Sequence, residues 1–116
     1  MRHLKFVFAL LAFGFFAAAS FHAVAIFAPS IGPPSPTWRH ALFVLVNVSV
    51  ALGMLTRPRW FTPLFGLLCV QQLVSHGLFS WDVWQAEHRI DWGSVVVFVF
   101  MPATLVLLLR RDPAAR

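Results

Sequence analysis

The sequence predicts an all-α fold, a bundle of four transmembrane helices, and three observations predict it. Four apolar runs of about bilayer-crossing length follow one another; a span needs about 20 helical residues. The 116 residues are 59% hydrophobic and only 11% charged, which excludes an ordinary soluble domain. The basic residues sit in short clusters at the ends of the apolar runs, the topology signal of a membrane protein. The net charge of +5 therefore does not point to nucleic acid, and no basic stripe with interleaved aromatics exists. By length the chain is one domain, a single integral membrane unit over 1–116.

The first helix is expected at about 6–28, after the basic start Met1-Arg2-His3-Leu4-Lys5. Ala17-Ala18-Ala19 before Ser20 resembles a signal-peptidase site. The apolar run continues past it for two more turns, so the helix is expected to be retained. Gly14, Ala18 and His22 recur at i, i+4, i+8, a small-residue stripe for close helix contact. The connector from Pro29 to Thr37 holds four prolines in nine residues, which remove donors and fix φ against a helix. A second span follows at 41–56, with Asn47 inside it, and ends at the basic turn Arg57-Pro58-Arg59.

The third span, 60–80, carries Gln71, Gln72, Ser75 and His76 in its second half. At 100° per residue these fall within an arc of roughly 140°, one polar helix face. Pro63 is tolerable because first-turn amides lack helical partners. Trp81 to Trp92 changes composition to WDVWQAEHRIDW, and Trp81, Trp84 and His88 recur at i, i+3, i+7. That spacing predicts a short amphipathic helix lying in the interface. The fourth span is expected at 93–109, with Pro102 kinking it or freeing a carbonyl. Cys69, the single cysteine, lies mid-span, where an apolar setting makes it an inert small hydrophobe.

A cytoplasmic N-terminus would put Arg2, Lys5, Arg57, Arg59, Arg110, Arg111 and Arg116 inside and only Arg39 and Arg89 outside, seven of the nine basic residues. That bias predicts both termini in the cytoplasm of a bacterial inner (plasma) membrane. The five tryptophans all fall at helix ends, where amphipathic rings are favoured.

Depth decides where a site would be. Counted from the outer helix ends, His22 and Asn47 lie about 9 Å deep, Gln72 about 12 Å and His76 about 6 Å. Ser75 and Ser94 fall in the same outer third. The polar groups are thus expected to converge in one outward-opening layer beneath the Trp-rich segment. The candidate ligand-binding residues are His22, Asn47, Gln71, Gln72, Ser75, His76, Trp81 and Trp84. Three readings remain open. Interhelical hydrogen bonds among such residues are common packing glue, which would make the chain a structural subunit. A pocket for a quinone, a lipid head group or another amphiphile needs an apolar wall and few convergent polar groups. A metal or haem site would use His22, His76 and His88, since imidazole suits Zn, Cu and Fe, but no ligand-spacing motif supports it. No catalytic residue is indicated, because no nucleophile–base arrangement is visible.

Leu52-Gly53-Met54-Leu55-Thr56-Arg57-Pro58, followed by a helix with a late His76-Gly77, resembles the DoxX-like group of small four-helix bacterial membrane proteins. The likeness spans Leu52 to His76. Members commonly carry Gly and Lys near the end of the first helix, where this chain has Phe21-His22. The resemblance implies a four-helix bundle, sometimes associated with quinone-linked sulfur oxidation, and hands over no catalytic residue. The expected role is an accessory or binding subunit, with other membrane subunits or further copies of the chain as partners.

The orientation is directly testable. A cysteine at Ser35 should react with an impermeant maleimide on intact spheroplasts, and one at Thr56 only after permeabilisation. Labelling of position 35 from the cytoplasmic side alone would reverse the assignment.

Overall fold

The computed structural model describes residues 2–31 and 35–111, with the side chains of Arg2 and Arg111 left out. Met1, Gly32-Pro33-Pro34 of the proline connector and the Asp112–Arg116 end lie outside the described residues. The described residues form four helices and their connections: α1 (Arg2–Phe27), α2 (Thr37–Thr56), α3 (Phe61–Glu87) and α4 (Trp92–Arg111). All four helices are long and apolar enough to cross a membrane. They divide into two compact units, Met1–Pro58 and Arg59–Arg116, each a helical hairpin.

The boundaries follow local chemistry. Ala28 N–H still bonds Val24 C=O at 2.8 Å, and Pro29 then ends α1, since proline has no N–H and restricts the residue before it. Pro36 precedes α2 with φ −59° and ψ 143°, and its carbonyl accepts from Arg39 N–H at 2.9 Å. Arg57 closes α2 in the left-handed region (φ 50°), donating its N–H to Gly53 C=O at 2.8 Å. A left-handed cap followed by proline is a common helix stop. His88 closes α3 in the same way, at φ 51°, with its N–H on Trp84 C=O at 3.0 Å.

The expected interfacial helix is corrected at this point. Trp81 to Glu87 forms no separate element but continues α3, which runs unbroken for 27 residues. Nothing between Ser80 and Glu87 is Gly or Pro, so no local signal stops the helix before the left-handed turn at His88. A helix of this length spans about 40 Å, roughly 10 Å more than a hydrocarbon core. Pro102 sits inside α4 without dividing it.

Within the first unit α1 and α2 run antiparallel. Phe8 near the start of α1 lies under the Arg57 guanidinium beyond the end of α2, 5.2 Å from its ring centroid. At the other end His22 meets His40. The buried positions of α1 are Phe8, Ala12, Phe15, Ala19 and Ala25, the first four of them a stripe at three- and four-residue spacing. Small residues are therefore used for close approach on α1, Ala12 and Ala19 rather than Gly14 and Ala18. A Cβ added at Gly14 would meet nothing within 4 Å.

The second unit is also antiparallel. His76 meets Ser94, and a Cβ on Gly77 would lie 3.9 Å from Phe98, one on Gly66 3.9 Å from Leu105. Because His76 faces the third residue of α4, the last eleven residues of α3 extend past that level. The link His88–Asp91 runs back to reach it.

Phe8 and Arg57 should be energetically coupled. Phe8 is 1% exposed, and a guanidinium over a desolvated ring contributes about 1–2 kcal/mol. A double-mutant cycle of Phe8→Leu and Arg57→Gln, read by SDS-titrated unfolding in mixed micelles, should give a coupling of about 1 kcal/mol. Additive effects would mean that the pair contributes no mutual stabilisation.

Candidate functional site

Two polar clusters form, each within its own hairpin. In the first unit the Nδ1 atoms of His22 and His40 face one another at 3.1 Å. A neutral imidazole has one N–H and one lone-pair nitrogen. One ring therefore donates and the other accepts, and the two are opposite tautomers. His40 is buried. His22 is stacked on Phe43 (centroids 5.0 Å apart, planes at 18°), and the Arg39 guanidinium also lies over Phe43, at 5.9 Å. Neighbours on α2 thus hold the His22 ring of α1.

The second cluster has a direction. Asp91 sits just before α4, where its Oδ2 accepts from the backbone N–H of Ser94 at 3.2 Å and from the Ser94 hydroxyl. This is helix N-capping, in which a side-chain oxygen takes one of the unpaired first-turn amides. A hydroxyl carries one proton, and here it goes to the carboxylate. The Ser94 oxygen, 3.0 Å from His76 Nδ1, must then accept. His76 is held with its proton on Nδ1, and Nε2 is the basic nitrogen. Ser94 is completely buried. The chain of hydrogen bonds thus runs from Asp91, at the head of α4, through a buried hydroxyl to an imidazole on α3.

The Ser94 hydroxyl holds the Asp91 carboxyl below the usual carboxylate range, against a smaller opposing effect of burial. The backbone N–H groups of Ser94 and Gly93 act in the same direction as the hydroxyl. The cluster is no catalytic triad, which needs histidine between the hydroxyl and the acid. Here serine is in the middle and has no exposure to a substrate.

The remaining expected site residues lie elsewhere. Asn47, half-buried, donates its Nδ2 to Phe43 C=O one turn back on its own helix, at 2.7 Å. It is seven residues beyond His40, on the same stripe but about 10 Å further along α2. Gln72 donates to Gln71 Oε1 at 2.9 Å, with Gln71 exposed and Gln72 half-buried. Ser75 is half-buried. Trp81 and Trp84 are 61% and 49% exposed, on the end of α3 that extends past Ser94. The His88 ring packs edge-on against Trp84, 5.9 Å away. Among the described residues no group of three or more His, Cys, Asp or Glu is placed to hold a metal ion.

Sequence reasoning placed Ser94 in the polar layer but named none of His40, Ser94 and Asp91 as a candidate ligand-binding residue. For Asp91 the signal was present: an Asp immediately before an apolar run, with Ser three residues on, marks a helix start. For His40 the signal was weaker, since its pairing follows only once the hairpin brings both helix ends together.

Set against known proteins, the chain matches no family model, no curated protein and no solved structure. Its class therefore rests on the fold: an all-α protein whose four helices are long and apolar enough for a multi-pass membrane protein.

Ser94 and Asp91 should separate packing from charge. Ser94→Ala strips both the His76 Nδ1–H and the Asp91 carboxylate of a partner and should cost about 1–3 kcal/mol. Asp91→Asn keeps a good N-cap and should cost less. Asp91's folded-state pKa lies below its unfolded value of about 3.9. Its stabilisation is therefore complete above that pH and is lost as the pH falls through the lower, folded-state value. Unfolding measured between pH 3 and 7 should show this acid limb in the parent protein and its weakening in Asp91→Asn.

Proposed function

We propose that this chain is a small accessory or binding subunit of the bacterial inner membrane, with both termini in the cytoplasm. It works with partner subunits or further copies of itself rather than as an enzyme on its own. Its ligand is an amphiphile, a quinone-type ring or a lipid head group. The polar head is held at the turn end of the α3–α4 hairpin, against the apolar flanks of the two helices. The end of α3 beyond Ser80, with Trp81 and Trp84, then sits among the lipid head groups, where amphipathic rings are favoured.

The observation that carries this reading is the Asp91–Ser94–His76 chain. A polar group whose only task is to tie two helices needs one partner. Here the carboxylate fixes the hydroxyl, the hydroxyl fixes the tautomer of the imidazole, and the ring at membrane depth is pre-organised. Pre-organised polar groups set in an apolar wall are what recognition of an amphiphile requires. The likeness to DoxX-like proteins favours a quinone over other heads and a quinone-linked complex as the setting.

Titrating a short-chain benzoquinone into the purified protein tests this through quenching of tryptophan fluorescence. Saturable quenching is expected, weakened roughly tenfold in Ser94→Ala, the loss of one well-placed hydrogen bond, while the helical circular dichroism stays unchanged. Quenching that rises linearly, or equally in the variant, would reject a quinone site at this cluster.

A further inference from the structure

On α3 a second feature stands apart from the histidine cluster. Leu64, Leu67, Gln71, Val74 and Leu78 recur at alternating spacings of three and four, and all five are exposed. That is the spacing of a helix–helix seam, in which a single polar residue among apolar ones sets register and copy number. Gln71 is its central member. With Phe61 to Ser80 as the bilayer-crossing stretch, about 30 Å long, Gln71 lies at the middle of the membrane, where polar groups are most expensive.

Each carboxamide carries two N–H donors and a carbonyl that can accept twice. Among the described residues Gln71 and Gln72 bond only to one another, Gln72 Nε2 donating to Gln71 Oε1. That bond orients Gln71 and leaves its own N–H groups, and the second lone pair of its oxygen, facing out from the helix. Lipid tails supply neither a donor nor an acceptor.

We propose that two copies of this chain pair along this face of α3, with the two Gln71 carboxamides hydrogen-bonded to each other at mid-membrane. Two copies inserted by the same basic-residue bias share one orientation, so a two-fold axis relating them runs along the membrane normal. Residues on such an axis meet their own counterparts at equal depth. A carboxamide is donor and acceptor at once, so the N–H of each Gln71 reaches the C=O of the other. A leucine or a cation at this position would not be self-complementary in this way. Leu67 and Val74 flank the contact and pack against their counterparts. The pairing does not depend on the proposed amphiphile site, since it uses none of Asp91, Ser94 and His76.

The test uses the full chain in membranes, with the buried Cys69 replaced by Ala. Single cysteines at Leu67, Gln71 and Val74 should form disulfide-linked dimers on mild oxidation, and a cysteine at Leu73, on the opposite side of α3, should not. In detergent, energy transfer between labelled copies should report a dimer that Gln71→Leu weakens roughly tenfold, as expected for a symmetric pair of interhelical hydrogen bonds, and that Gln71→Asn weakens less. Cross-linking that is absent at all three positions, or as strong at Leu73, would overturn the proposal. So would a Gln71→Leu protein that dimerises as tightly as the parent.

Discussion

Hydrocarbon offers polar groups no partner, and this single constraint organises the molecule. The backbone meets it by being helical wherever the chain is apolar, since a helix satisfies its amides within one segment. Side chains meet it in three different ways. Ser20 and Thr56 donate to the carbonyls of Phe16 and Leu52 on their own helices, and Asn47 does the same to Phe43. Such back-bonding removes the polarity locally and ties nothing. His22 with His40, and His76 with Ser94, bond across from one helix to the next. Gln71 and Gln72 only share a bond side by side.

The cross-helix bonds matter because helices in lipid gain nothing from the hydrophobic effect when they associate; lipid tails are as apolar as leucine. Association rests on van der Waals contact, close approach at small residues and a few polar ties. Each hairpin shows the same division of labour. In the first, Ala12 and Ala19 are buried, the histidine pair closes the turn end, and Arg57 over Phe8 closes the other. In the second, Gly66 and Gly77 lie against Leu105 and Phe98, and the Asp91–Ser94–His76 chain closes the turn end. Polar ties near helix ends fix register at little risk, because water and head groups are within reach if a bond opens.

How much of this was legible in the sequence depended on the range of the signal. Helix existence was legible, since apolar length and composition are local quantities that the bilayer reads directly. So was the end of α2, where a basic residue and a proline stand together at Arg57-Pro58. The end of α3 was not. The shift to WDVWQAE looked like a new element, whereas polarity alone does not stop a helix, and the left-handed stop at His88 is marked by neither Gly nor Pro. The candidate site was half legible. Depth arithmetic singled out His22 and His76, but their partners His40 and Ser94 each lie eighteen residues away along the chain. Such pairings depend on hairpin register, which no local pattern contains. The role of Asp91 follows from its place just before a helix, which composition and depth alone do not weigh.

The two polar ties differ in one respect that bears on what they can do. Asp91 sits at the N-terminus of α4, where first-turn amides and the positive end of the helix dipole favour an anion. Its carboxylate has no proton to give, so every hydrogen bond in that cluster is forced to point towards it, from His76 through Ser94. The tautomer of His76 is thereby the same in every copy of the protein. The His22–His40 pair has no such anchor. Either ring can donate to the other, and the exchange of roles moves the outer proton from one ring to its neighbour. A ligand meeting that pair would face two alternating hydrogen-bonding patterns, and binding one of them would require freezing the other out. A ligand meeting His76 faces one pattern, set in advance by a charge at the membrane edge. Of the two clusters, the one that Asp91 polarises therefore presents the fixed pattern on which the proposed recognition rests, and the histidine pair is suited to holding α1 against α2.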